Sequence, residues 1–210
     1  MRIRRERHPR PLRKVVFIQC EGEKSEYNYL NSFRKHDIDQ NRIKFIIKSG
    51  EGGDALQTVR KALNEKKKQK SRNEEYDECW CILDVEDVSR RDILQGAILL
   101  AQKNNVELFL SNPCFEVWII AHFERTPRHF LNSKTVIEYL NNIQDWQRLF
   151  NKSYDKSDVE LFAILHERLD TAVSNSKWIM EKHHQAKSRL DCNSSTEIFR
   201  LILKLRGSDM

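Results

Sequence analysis

Four short apolar runs, each separated from the next by a stretch of helical spacing, constrain this chain more than any other feature. Val15-Val16-Phe17-Ile18-Gln19-Cys20, Ile43-Lys44-Phe45-Ile46-Ile47, Cys79-Trp80-Cys81-Ile82-Leu83 and Val106-Glu107-Leu108-Phe109-Leu110 read as strands. Three of them are nearly continuous in apolar residues, the mark of strands buried on both faces. Between them, Tyr27, Leu30 and Phe33 recur at helical spacing, as do Ala55, Leu56, Val59, Ala62 and Leu63, and then Ile93, Leu94, Ala97, Leu100 and Ala101. Asp54 is placed to cap the second of these helices, and Ser89 with Asp92 reads as a capping box for the third. Strands alternating with helices require crossover connections, so the fold class is α/β with a mostly parallel sheet flanked by helices. After Pro113 the pattern becomes helical, over segments near 113–123, 133–149, 157–186 and 194–205, with breaks at Thr126-Pro127 and 151–157. The expected organisation is a basic arm at 1–14, an α/β core at 15–125 and a helical part at 126–210 packed on that core.

Charge is unevenly spread. Lys plus Arg number 37 against 31 Asp plus Glu. Arg2, Arg4, Arg5, Arg7, Arg10, Arg13 and Lys14, set against Glu6, account for the whole excess of +6. A basic arm on a neutral body suits contact with nucleic-acid phosphates, as does the run Lys66, Lys67, Lys68 and Lys70; a solvated arm and an exposed helix end would read the same way. No apolar run reaches the roughly 20 residues of a membrane span, and the N-terminus lacks the apolar centre of a secretory signal. Five cysteines without metal-ligand spacing read as reduced, buried thiols of a cytoplasmic protein.

In an open parallel sheet, ligands bind outside the carboxyl ends of the strands. Two strands here end in acids: Glu21, Glu23 and Glu26 follow the first, and Asp84, Glu86 and Asp87 follow the third. Carboxylates crowded at one edge repel unless a cation lies between them, and all-oxygen donors suit Mg²⁺ or Mn²⁺. The same acids would also complement helix dipoles. In the segment after the fourth strand, Asn112 is expected to cap a helix with Pro113 in its first position. Phe115, Trp118, Ile119 and His122 then form a stripe packed on the sheet, with Glu116 beside it. His122 in that stripe reads first as a core histidine. Other motifs fail: Gly50-Glu51-Gly52-Gly53 lacks the Gly-Lys-Ser/Thr of a P-loop, Asp170 stands where a second metal-binding His would follow His166-Glu167, and aromatic residues do not interleave with basic ones.

Taken together, these elements resemble a known family. A strand followed by Glu21-Gly22-x-x-x-Glu26, and a later strand ending Asp84-x-Glu86-Asp87, is similar to the Toprim domain of topoisomerases, primases and OLD-type nucleases. The finer text resembles the RloB family: Cys20-Glu21-Gly22-Glu23-Lys24-Ser25-Glu26-Tyr27-Asn28-Tyr29, Leu83–Asp87, Ser111-Asn112-Pro113-x-Phe115-Glu116-x-Trp118 with His122-Phe123, and Asn193-Ser-Ser-Thr196-Glu197. The resemblance implies a divalent-metal-dependent nuclease that hydrolyses DNA or RNA. Its catalytic residues would be Glu21, Asp84, Glu86, Asp87 and Glu116, with Glu23, Glu26 and His122 as second choices. Glu21, Asp84, Glu86 and Asp87 would be ligands of Mg²⁺ or Mn²⁺, with Glu86 replacing the usual second Asp. Lys24, the arm arginines and the 66–70 lysines would contact nucleic acid. The resemblance further implies a bacterial anti-phage role beside an ATPase of the RloA or OLD-like kind. A non-catalytic nucleic-acid-binding or regulatory subunit is the alternative, and a primase or topoisomerase fragment a weaker third.

Overall fold

The computed structural model describes residues 13–39, 42–86 and 88–207. Arg2, Arg4, Arg5, Arg7, Arg10 and Asp87 therefore lie outside the described residues. The four apolar runs form strands β1 (Lys14–Cys20), β2 (Ile43–Lys48), β3 (Glu78–Asp84) and β4 (Glu107–Ser111). They make one sheet in the order β2-β1-β3-β4, and every pairing is parallel. Asp84 thus belongs to the last residue pair of β3, opposite Ser111. The first crossover runs through α1 (Ser25–His36), the second through α2 (Ala55–Lys70), the third through α3 (Arg91–Lys103). Because the path leaves β1 toward β2 and then returns past it to β3, the strand order reverses between β1 and β3. That places a crevice at their carboxyl ends.

Strand alternation sorts the core into two layers. Phe17, Cys79, Cys81, Leu83, Leu108 and Leu110 pack with Val59 and Ala62 of α2 and Leu94 and Ala97 of α3. Val16, Ile18, Trp80, Ile82 and Phe109 point the other way, against Tyr29, Leu30 and Phe33 of α1 and most of the C-terminal half. Right-handed crossovers on opposite sides of β1 must put α1 and α2 on opposite faces, which is the arrangement found. All five cysteines are buried and free.

The helical second half comprises α4 (Glu116–Ala121), α5 (Ser133–Asn142), α6 (Gln144–Phe150), α7 (Leu161–Leu165), α8 (Leu169–Lys182) and α9 (Ile198–Arg206). It is more broken than its periodicity suggests. The 133–149 segment divides at Ile143, whose extended backbone ends α5 and starts α6. The 157–186 segment begins only at Leu161 and stops at Lys182, and the last helix opens at Ile198. Before it, Thr196 makes an antiparallel bridge to Ser111 at the end of β4.

Two capping expectations do not hold. A 3-10 turn, Val88–Arg90, precedes α3, and its N-cap Arg90 supplies no side-chain cap. Asn112 and Pro113 do not open α4, which starts at Glu116 after Phe115. Asn112 is spent elsewhere: its amide Nδ2 donates to the Leu190 carbonyl and its N–H to Ser195. The 112–115 segment is thereby tied to the chain after α8 instead of winding into helix. Asp54 caps α2 as expected, accepting from Gln57 N–H at 2.8 Å.

Candidate active site

Glu21 leaves the end of β1 and reaches across the crevice, where its Oε2 accepts the Asp84 backbone N–H at 2.9 Å. The two acids are joined because parallel neighbours end at the same edge. Glu26, in the first turn of α1, folds back over Gly22 and accepts its N–H at 3.2 Å. A Cβ on Gly22 would lie 2.3 Å from Glu26 Oε2, so only glycine leaves room for the carboxylate there. Gly50 closes the other side: its N–H donates to Gly22, and a Cβ on it would stand 1.8 Å from the Glu21 carbonyl oxygen. The Glu-Gly-x-x-x-Glu spacing is thus a turn that stacks one acid over the backbone of another.

Glu116 arrives from the other side, at the start of α4, and is 1% exposed. Its Oε1 accepts from Ser25 Oγ at 3.0 Å and Tyr154 OH at 3.1 Å. Lys156 Nζ stands 3.3 Å from the same oxygen. The loop between α6 and α7 delivers both Tyr154 and Lys156. Asn141 Oδ1 takes the Tyr154 N–H, and Asn28 on α1 donates to the Lys156 carbonyl. Lys156, a residue that no motif in the sequence singles out, is among the described residues the cation in ion-pair reach of Glu21, Glu26, Asp84 or Glu116.

The electrostatics follow from crowding. Burial lifts the Asp84 carboxyl well above its ordinary range, with Glu26, Glu116 and Glu21 adding to the rise and Lys156 opposing it. Burial likewise raises Glu26, with Glu116 contributing. Glu21 is pushed up to about 7, chiefly by burial, then by Glu86 and Glu26; its bond from Asp84 N–H works the other way. Lys156 loses hydration on entering, yet Glu116 holds its ammonium above the ordinary value. Two carboxylate oxygens, Asp84 Oδ1 and Glu116 Oε2, are enclosed with no hydrogen-bond partner among the described residues. Unpaired buried acceptors cost about 1–3 kcal/mol each, so this edge is built at the expense of stability.

The other sequence candidates are placed differently. Glu86, at a positive φ of 52°, turns outward and pairs with Arg90 Nη1 at 2.7 Å. Glu23 and Lys24 are exposed beside the crevice. His122 is fully buried; it contacts the Trp118 carbonyl through Nδ1 and Tyr29 OH through Nε2, each at 3.0 Å. Burial depresses it to about 4, so it is a neutral core residue. The lysine run sits at the end of α2, a helix of 16 residues that starts at the carboxyl edge of the sheet and runs back to the opposite one. Lys66 to Lys70 therefore lie about 16–22 Å along the helix from its start at the carboxyl edge. Lys66 is engaged with the Asn104 and Asn105 carbonyls, and Lys70 with Glu75. Arg13, just before β1, lies at that far edge too.

The acids of the crevice are hard oxygen donors of the kind a divalent cation takes. Asp84 and Glu116 each keep one oxygen unpaired, while Lys156 already answers the other oxygen of Glu116. Among the described residues no three His, Cys, Asp or Glu side chains stand as a ready ligating group. A family model described as RloB-like protein matches residues 16–205, most of the chain. No curated protein and no solved structure matches it.

Proposed function

The chain belongs to the RloB-like protein family, and from that premise we propose that it is a divalent-metal-dependent nuclease acting on phosphodiester bonds. The observation that carries the reading is the carboxyl-edge cluster at the sheet's switch point. Glu21 is bonded to Asp84 there, and Asp84 Oδ1 and Glu116 Oε2 are enclosed and unpaired. Proteins keep such arrangements where a cation or a charged transition state repays them.

Asp84, Glu21 and Glu116 would hold Mg²⁺ or Mn²⁺, with Glu26 behind them. The metal, when bound, supplies charge neutralisation at a phosphoryl oxygen and a more acidic water. The chain's own groups do the rest. Glu21, pushed up to about 7 without metal, would serve either as a ligand, held as the carboxylate, or, left uncoordinated, as the group that takes and returns a proton near neutral pH. Lys156 presents a fixed positive charge where negative charge develops on the phosphate. Ser25 and Tyr154 hold Glu116 in one orientation. Lys24 at the rim meets the backbone close to the scissile bond; Arg13 and the α2 lysines, at the far edge, would serve a strand that continues around the molecule.

The family resemblance extends the proposal to an effector in bacterial anti-phage defence working with an ATPase partner. The alternative, a nucleic-acid-binding or regulatory subunit without turnover, draws on Glu86. The residue at the second acid position is exposed and neutralised by Arg90 instead of facing the cluster. The test is cleavage of plasmid, single-stranded DNA, total tRNA and messenger-like RNA with Mg²⁺ or Mn²⁺, alone and with a co-purified ATPase. Cleavage that disappears with EDTA and in Asp84→Asn, while binding persists, is the expected result. Silence with the partner present overturns the enzyme reading.

A further inference from the structure

Next to the acidic crevice lies a cavity of about 310 Å³. Its wall begins at Val85 and Glu86, directly after Asp84. Successive strand residues face opposite ways, so the cavity opens on the α3 side of the turn whose other side carries Asp84. Val85, Leu94 and Leu190 give it an apolar lining, and Arg91, His129 and Leu131 also line it. So do the carboxylates Glu86 and Asp191, paired with Arg90 and Arg91 respectively. The volume is at the lower end for small-molecule sites, which suits one flat ring system and is too small for a helix or a folded partner.

The surrounding groups are held in place. Arg91 is tied to Asp191 at 2.6 Å, which fixes its guanidinium while 43% of the side chain stays accessible. Asn193 clamps Phe130 from both sides, accepting its N–H and donating to its carbonyl, each at 2.8 Å. That clamp sets the chain on either side of Phe130, and so the positions of His129 and Leu131. It also accounts for Asn193 of the late Asn-Ser-Ser-Thr element, which the acidic site does not use. Leu131 is 72% exposed, an apolar side chain left to water beside a cavity with apolar walls. Planar cationic and imidazole groups over an apolar lining are what an unstacked base requires, since arginine and histidine planes stack on bases and stacking tolerates any base.

We propose that this cavity receives one unstacked nucleobase of a single-stranded nucleic acid whose neighbouring phosphate lies at Asp84. The inference rests on the nuclease reading and adds how the strand is gripped and where the cut falls relative to a held base. The test uses full-length Asp84→Asn protein with Mg²⁺ and end-labelled single-stranded DNA and RNA carrying one fluorescent purine analogue at successive positions. Binding is read by anisotropy and unstacking by the analogue's own emission. At one position the emission should change on binding. Arg91→Ala and His129→Ala should each weaken binding at least about fivefold, the lower end for one stacked base. An abasic residue at that position should cost as much, and the two losses should not add. Leu131→Ala, at an exposed site that leaves the fold intact, should give a smaller loss in the same pattern. If the strand binds but neither the variants nor the abasic residue matter, the cavity is not a base site and the nuclease reading stands. If no strand binds and wild type cleaves none, both fall.

Discussion

Replacing Glu21 by Gln should make the metal-free protein more stable at alkaline pH while removing turnover. Gln resembles the protonated form of Glu21, so the gain is the cost of keeping that carboxylate charged in the folded state. Its pKa rises from 4.5 unfolded to about 7 folded. The unfolded chain therefore releases this proton first, and the native state is penalised as pH rises through that window. At pH 8 the penalty is about 3 kcal/mol, at pH 5 about 1, and below pH 4 nearly none. For a chain of this size the alkaline figure corresponds to about 6–12 °C in Tm. The assay is urea unfolding of wild type and Glu21→Gln in EDTA at pH 5, 6.5 and 8, with calorimetry at the same points. The reasoning is refuted if the variant is no more stable than wild type at pH 8, or if its advantage is the same at pH 5. In the first case the crevice does not strain Glu21; in the second the gain has nothing to do with charge.

Further expectations concern the neighbours of that group. Lys156→Met should cost about 1–3 kcal/mol by leaving Glu116 with an unanswered charge, visible in EDTA as a lower Tm, and should suppress cleavage even at saturating metal. His122 contributes the opposite pH slope to Glu21. Its pKa falls from 6.5 unfolded to about 4 folded, so wild type loses about 2 kcal/mol from this residue between pH 7 and pH 5. His122→Gln should be less stable at pH 7 but lack that loss, as paired denaturation curves would reveal. Gly50→Ala drives a methyl against the Glu21 carbonyl oxygen and should destabilise by about 1–3 kcal/mol or more, displacing Glu21 and weakening Mn²⁺ binding measured by calorimetry.

How much of this was readable beforehand varies with the range of the interaction. A strand buried on both faces announces itself over six or seven residues, and Ile18 or Ile82 needs no distant partner to reveal it. Helix starts were harder. Asn112 and Pro113 have the right chemistry for a cap, but a carbonyl 78 positions away claimed the amide of Asn112. The lysines of α2 read as a phosphate contact beside the acids until the helix is given a direction, which carries them to the sheet edge opposite the acidic crevice. Glu86 sits one residue beyond Val85 and looks equivalent to Asp84, yet a left-handed backbone turns it toward Arg90.

By itself the sequence determined the α/β class, the parallel sheet and the placing of Glu21 and Asp84 at one edge; that they meet rests on β1 and β3 being neighbours, which the strand order decided. Parallel strands all end at one edge, so two acids following adjacent strands must converge there. Only the tertiary structure decided that Glu116 joins them, that Tyr154 and Lys156 descend from a loop of the helical half, and that Asn193 shapes a cavity next door. Each of these contacts joins chain segments tens of residues apart. What brings them together is burial of the apolar face shared by α1, α4 and the helices that follow, and no local periodicity records which polar side chains that burial will leave facing one another.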